Sequence, residues 1–260
     1  MTRVALVTGA ARGIGAATVR ALAAEGWSVV ATDRCRDDPR LPYSLGTEDE
    51  LRAVAADAEG DAEAVVADST ELEAMASAVA LAEERFGGLD SIVAAAGVFA
   101  GGVPSWELAQ EQEDAVFEAD LHGVAVAARA GIPALLRCPE PRRGSFLAVS
   151  SAAAGKGLKY VAAYSAAKAG VEGMVRGLAS DLGGTGVTAN AIRPGSTETP
   201  ILAESARVYG VDPLEFKEHQ PALGRLIRAE EVADAIVFLA GPGGAAITGA
   251  VIPVDGGMAL

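Results

Sequence analysis

Cysteine is scarce in this chain of 260 residues: Cys35 and Cys138 are too few for a disulfide framework, and no Cys/His cluster has the spacing of a zinc site. A reducing cytoplasmic setting and no metal are therefore expected. Aromatics are also few, at 5%, so any core must be aliphatic and alanine-rich. No apolar run reaches the roughly 20 residues of a bilayer span. The most apolar helical stretch, Gly123 to Leu136, is interrupted by Arg129 and Pro133. Positive charge is in deficit, with 21 basic against 35 acidic side chains and a formal charge of -14. Such a surface repels phosphate backbones and anionic headgroups, which argues against nucleic-acid and membrane partners. The start, Met1 to Val7, runs directly into a glycine-rich segment, so no cleaved signal is expected. No Ser/Pro linker, repeat or low-complexity tract divides the sequence, and a single domain over 1–260 is expected.

What is present is alternation. Short aliphatic runs at Val4–Val7, Ser28–Ala31, Ala64–Ala67, Ser91–Ala94, Ser145–Val149, Val187–Ile192 and Ala250–Val254 read as buried strands. Between them, Ala16–Ala24, Leu72–Phe86, Ala115–Leu136, Ala162–Leu182 and Glu230–Leu239 carry apolar residues three and four apart. This order predicts an α/β fold, a doubly wound parallel sheet of about seven strands with helices on both faces. Two connections are long: Arg34 to Thr47, and Pro200 to Arg228. The second follows the sixth strand, where loops of an open α/β sheet meet ligands, and reads either as a substrate lid or as a helical excursion packed on the core.

Thr8-Gly9-Ala10-Ala11-Arg12-Gly13-Ile14-Gly15 lies between the first strand and the first helix. Absent side chains there let the backbone turn tightly and approach a pyrophosphate at the helix N-terminus, as in a Rossmann-type dinucleotide site. Asp33 ends the second strand, 24 residues after Gly9, where a carboxylate accepts hydrogen bonds from ribose hydroxyls. A carboxylate repels a 2′-phosphate, whereas Arg12 and Arg34 attract one; Arg12 can serve the pyrophosphate and Arg34 can stack on adenine, so NAD is expected over NADP. Replacing Asp33 by Ser is then expected to weaken NAD and admit NADP through those two arginines.

Tyr164 and Lys168 are four apart, one turn from each other on one helix face. A lysine cation, together with an oxidised nicotinamide, is expected to lower the phenol from its ordinary value near ~10 and so make a proton carrier. Ser151 closes the fifth strand 13 residues before Tyr164 and is placed to reach the same point.

With these motifs in place, the chain resembles the short-chain dehydrogenase/reductase family along its whole length. Thr8-Gly9-x-x-x-Gly13-Ile14-Gly15 matches the cofactor loop, Ser151 with Tyr164-x-x-x-Lys168 the catalytic set, Asp68 the adenine-binding acid, Pro194-Gly195-x-x-x-Thr199 the nicotinamide clamp, and Val254-Asp255-Gly256-Gly257 the C-terminal strand. The resemblance implies that Ser151 holds the substrate oxygen, Tyr164 exchanges the proton, and Lys168 binds the nicotinamide ribose and tunes Tyr164. Ser69, Ala95, Ala96, Gly97 and Thr197 are cofactor contacts by the same resemblance. Two positions depart from the family. Ala94-Ala95-Ala96-Gly97 stands where Asn-Ala-Gly is usual, so a bracing side-chain amide is missing. Asp120-Leu121-His122-Gly123 stands where Asn-Leu-x-Gly is usual, so Asp120 occupies the proton-relay position and rewires it.

The loop at 34–47, with Pro42-Tyr43-Ser44-Leu45, resembles an insertion of the carveol-dehydrogenase-like, mycofactocin-associated subgroup. That resemblance implies a segment folded over a poorly exchanging NAD that an external redox carrier recycles. The bland alternative is a solvent loop that touches nothing, which its charged Arg36, Asp37 and Asp38 would favour. The expected activity is hydride transfer between NAD and a small secondary alcohol or ketone. Alternatives are an NADP-dependent carbonyl reductase and a catalytically silent NAD-binding sensor. A homotetramer is expected through Ala115–Leu136, Ala162–Leu182 and the C-terminal segment, by the resemblance and by close-packing residues such as Ala127, Ala128, Ala169, Gly170, Gly173 and Gly177.

Overall fold

A computed structural model describes residues 2–139 and 143–260; residues 1 and 140–142 of the expected domain lie outside the described residues. Seven strands, β1 (Val4–Thr8), β2 (Ser28–Asp33), β3 (Ala62–Val66), β4 (Ser91–Ala94), β5 (Ser145–Val149), β6 (Thr188–Pro194) and β7 (Val251–Val254), form one sheet in the order β3-β2-β1-β4-β5-β6-β7. Every pairing is parallel. The helices are α1 (Gly13–Ala24), α2 (Glu48–Ala56), α3 (Leu72–Phe86), α4 (Gln110–Phe117), α5 (Gly123–Arg137), α6 (Ala162–Asp181), α7 (Pro200–Tyr209) and α8 (Ala229–Ala240).

Alternation along the central strands feeds two cores. Leu6 and Phe146 point into a cluster with Met75 and Val79 of α3, Leu135 of α5 and Val171 of α6. Val7 and Leu147 point the other way, onto Val19 and Leu22 of α1, Leu51 of α2 and Ile236 of α8. Both faces are thus covered, which is why β1, β4 and β5 are mostly apolar and buried throughout. Each such Leu, Ile or Phe contributes about 1.5–3 kcal/mol on burial.

The edges depart from the expected buried run. β3 is only half-buried and begins two residues before the expected Ala64, taking in Glu63, because an edge strand needs no apolar residue on its outer side. β7 is likewise half-exposed. The expected helix Ala115–Leu136 is α4, a π-helical turn at Glu118–His122 and α5, and α5 runs on through Pro133. α2 was not anticipated, although Thr47 and Glu50 form a capping box at its start.

The chain leaves β1 for β2 and β3, then crosses back to β4 on β1's other side. The reversal opens a crevice beyond the C-terminal ends of β1 and β4, the place where such sheets hold ligands.

Candidate active site

At the end of β1 the chain turns with Gly9 at φ +66° and Gly13 at φ +59°. A Cβ on Gly9 would lie 2.6 Å from Ala96 Cα, and one on Gly15 would collide with the Gly9 carbonyl. The glycines therefore pack β1, β4 and α1 together with no side chain in the crevice. α1 begins without a side-chain cap and with no acidic residue in its first turn. Its orphan N–H groups and positive dipole end fit the pyrophosphate of a dinucleotide. The amide brace missing from Ala94–Gly97 has a substitute: Thr8 Oγ1 accepts the N–H groups of both Ala95 and Ala96, each at 3.1 Å.

Asp33 stands at the end of β2, its Oδ2 accepting from Ala11 N at 3.1 Å and its Oδ1 from Cys35 N at 3.2 Å. Both oxygens are oriented by backbone and keep lone pairs toward the cleft, as a ribose diol requires. The two arginines weighed against it are engaged elsewhere. Arg12 Nη2 donates to Ser44 O at 2.6 Å, while Arg34 pairs with Asp38 at 3.1 Å and lies 3.5 Å from Asp68. The expectation that they stand free for a 2′-phosphate is corrected by these contacts.

The segment 34–47 is not a solvent loop. Cys35 at φ +52° reverses the chain after β2, and Leu41 and Leu45 are buried with Val98, Phe99 and Tyr164, with Tyr43 packed against the group. Tyr43 Oη accepts Phe99 N–H at 2.7 Å. Its charges, which argued for exposure, are used internally: Asp38 is 4% exposed, bound by Arg40 at 2.7 and 2.8 Å, and Arg40 reaches Glu118 at 2.7 Å. Asp37 accepts Leu45 N–H at 2.7 Å. Gly46 is pressed against the glycine loop, where a Cβ would lie 2.7 Å from Ala11 Cβ. Asp68 binds Arg36 at 3.0 Å through Oδ2 and caps Thr70 through Oδ1.

Across the crevice, α6 presents Tyr164 and Lys168, both buried, and Lys168 Nζ lies 5.7 Å from the Tyr164 ring centre. Ser151, just past β5, accepts Ala153 N–H at 3.2 Å and hydrogen-bonds Tyr164. Lys168 Nζ donates to Val149 O at 3.1 Å and pairs with Asp120 Oδ1 at 2.8 Å. Asp120 sits on the π-helical turn, fully buried, and its Oδ2 accepts Val98 N–H at 3.3 Å. Burial pushes Tyr164 up, Lys168 pulls it down, Asp120 pushes it up again, and the balance is upward. Burial opposes the charge of Lys168, yet Asp120 and then Tyr164 outweigh it and hold the ammonium up. Burial also pushes the Asp120 carboxyl up against the pull of Lys168.

These groups line one cleft of about 740 Å³. Its wall brings together Gly9, Arg12, Gly13, Ile14, Gly15, Asp33, Arg34, Asp68, Ser69, Ala95, Ala96, Gly97, Ser151, Tyr164, Lys168, Pro194, Gly195, Thr197 and Thr199. Asp120 is the one sequence-predicted site residue off that wall; it lies behind Lys168. Sequence reasoning took Thr8 only as the start of the cofactor-loop motif and gave no role to Phe99; the bracing hydroxyl of the one and the ring contact of the other have no local signature. Phe99 meets the Tyr164 ring edge-on at 5.1 Å. The excursion 200–228 is α7 followed by a 3₁₀ turn at Pro213–His219. It carries its own small cluster of Leu202, Ala206, Phe216 and Leu226, and Leu202, Tyr209, Phe216 and His219 also face the cleft beside Leu158 and Val161.

Residues 9–259 match the family model described as enoyl-(acyl carrier protein) reductase. Among characterised relatives, the trans- and cis-4-hydroxycyclohexanecarboxylate dehydrogenases of Sinomonas cyclohexanicum are 37% and 38% identical, over 98% of this chain in both cases and 92% and 96% of their own lengths. The solved structure of carveol dehydrogenase from Mycobacterium avium in complex with NAD superposes with a TM-score of 0.92 at 29% identity, covering 99% of this chain and 97% of that one. On the strength of these matches, which span nearly every residue, the chain belongs to the short-chain dehydrogenase/reductase family.

Proposed function

We propose that this protein binds NAD and transfers a hydride between the nicotinamide and a small, largely apolar secondary alcohol or ketone. The observation that carries the reading is the single cleft in which the open N-terminus of α1 and Asp33 stand at one end and Ser151, Tyr164 and Lys168 at the other. The bound nicotinamide supplies or accepts the hydride. The chain's own groups do the rest. Ser151 donates a hydrogen bond to the substrate oxygen, Tyr164 exchanges a proton with that oxygen, and Lys168, hydrogen-bonded to Val149 O and ion-paired with Asp120, turns an ammonium hydrogen to the nicotinamide ribose. Asp33 receives the adenosine ribose, with Ser69 and Asp68 beside the adenine and Pro194 to Thr199 over the nicotinamide.

Engaged arginines and a free carboxylate edge favour NAD over NADP. The apolar wall of Leu158, Val161, Leu202, Tyr209 and Phe216 suits an alicyclic carbinol, in keeping with the ring-bearing names of the relatives, and 200–228 serves as its lid. The segment 34–47 straps the adenosine side and slows NAD release, so that an external redox carrier completes the cycle. A homotetramer in the cytoplasm completes the reading. Among the described residues, no helix is long and apolar enough to cross a membrane. Gly173 and Gly177 face open space on α6, whereas Ala127, Ala128 and Gly170 are spent on packing inside the chain.

The test is to mix the NAD-loaded protein with a panel of open-chain and alicyclic secondary alcohols and follow nicotinamide absorbance. Reduction with the alicyclic members supports the reading. Silence with every alcohol, together with silence of the reduced cofactor toward the matching ketones, would leave a cofactor-binding sensor in its place.

A further inference from the structure

Three ionisable groups are buried together, Tyr164 and Lys168 on the cleft wall and Asp120 behind them, and the mechanism above uses only the first two. Asp120 has no solvent exposure, and its Oδ1 meets Lys168 Nζ at 2.8 Å. The arrangement is built rather than incidental. The π-helical turn Glu118–His122 swings Asp120 inward, Oδ2 is anchored by Val98 N–H, and a Cβ on Gly97 would collide with Oδ1. An amide at this position would leave Lys168 as an uncompensated cation next to Tyr164. A carboxylate makes the lysine and its partner neutral as a pair, whichever of the two holds their shared proton.

We propose that Asp120 is a positioning residue that cancels the charge of Lys168 and thereby keeps Tyr164 as the neutral phenol, setting the site to donate a proton to a carbonyl at neutral pH. This rests on Tyr164 being the proton carrier. Ionising Tyr164 beside a lone ammonium creates a neutral pair; ionising it beside Lys168 and Asp120 leaves a net negative charge in a buried site, which low dielectric makes costly. The remaining groups do not offset this. Ser151 supplies one hydrogen bond, Tyr43 from the strap is itself pushed up by burial, and Glu204 of α7 is tied to Arg207 at 2.6 Å. In the reductive direction the carbonyl carbon takes a hydride from the reduced nicotinamide while the carbonyl oxygen takes the Tyr164 proton, giving the alcohol and a phenolate that is reprotonated from solvent. At neutral pH that direction finds Tyr164 in its working form, while alcohol oxidation must wait for the phenolate and rises about tenfold per pH unit.

The experiment compares the full-length protein with Asp120→Asn, which keeps the shape and an acceptor for Val98. Phenolate ultraviolet absorbance is titrated without cofactor, and the Tyr164→Phe titration is subtracted so that only one of the four tyrosines is read. Asp120→Asn is expected to move the Tyr164 step down by at least about one pH unit, since a charge within a few ångströms shifts a titration by about 1–3 units. The rising limb of oxidative kcat/KM against pH should move down with it. A step that stays in place or moves up overturns the proposal. If Asp120→Asn does not fold, Asp120→Ser takes its place with the same two outcomes: a Tyr164 step that moves down supports the proposal, and one that stays in place or moves up overturns it. Failure of the underlying reading is separate, since it would appear as retained turnover in Tyr164→Phe whatever the titrations show.

Discussion

Replacing Tyr43 by Phe removes one oxygen and keeps the ring, so it isolates the bond between the strap and the loop after β4. That oxygen accepts Phe99 N–H at 2.7 Å, and Phe99 is 4% exposed. With the hydroxyl gone, a buried N–H has no partner, at a cost of about 1–3 kcal/mol. If the whole chain unfolds as one unit, the loss lowers the melting temperature by about 2–4 °C per kcal/mol for a chain near this size. The more telling readout is local. On the proposed reading NAD leaves only after the strap lifts, so a strap weakened by about 1–3 kcal/mol should open about 5- to 150-fold more often, and the NAD off-rate should rise by up to that factor. Stopped-flow release of NAD, with Tyr43→Phe and the unmodified protein side by side, measures it. An off-rate unchanged within twofold in a variant whose melting temperature has fallen would refute the strap as a barrier to release, since the bond would then be structural and nothing more.

Tyr164→Phe should abolish turnover while leaving NAD affinity within a few-fold, because the hydroxyl serves the substrate proton; retention of more than about a tenth of the activity would assign the proton to another group. Asp33→Ser should weaken NAD, but Arg34 stays paired with Asp38 and Arg12 with Ser44, so little NADP affinity should appear by calorimetry. A Ser variant that prefers NADP would mean those pairs release freely. Acid should undock the strap: hydrogen bonds from Arg40 hold the Asp38 carboxyl well below the usual carboxylate range. A depressed folded value gives stability that is whole above the unfolded value of ~3.9 and lost as pH falls toward the folded one. Faster NAD release below about pH 4, mimicked at neutral pH by Asp38→Asn, is the expected result.

Much of the fold was legible because a sheet covered on both faces demands mostly apolar strands, and β1, β4 and β5 supply them. Legibility fell where that demand lapses. β3 needs no apolar outer face, so its start at Ala62 and the charged Glu63 were hidden. α2 buries only Leu51 and Val54, too few to announce a helical stripe, and its capping box was the better signal. The π-helical turn at Glu118–His122 leaves hydrophobic spacing almost unchanged, so a single long helix was the natural reading of α4 and α5.

At the site, residue type and spacing located the groups that face the cleft, and charge balance escaped them. A lysine one turn from a tyrosine reads as a cation that favours phenolate; the resemblance put the Asp120 carboxylate in the same proton relay, but only the fold sets it 2.8 Å from that lysine, from 48 positions earlier in the chain, close enough to offset its charge. The strap shows the same limit in reverse. Arg34, Asp37, Asp38 and Arg40 look like a solvated charge run when taken in order, yet folded they pair with one another, with Glu118 and with backbone amides while Leu41 and Leu45 turn inward. A sequence gives the sign of each charge but not which charges cancel. The Lys168–Asp120 pair and the anchored strap are both cancellations of that kind.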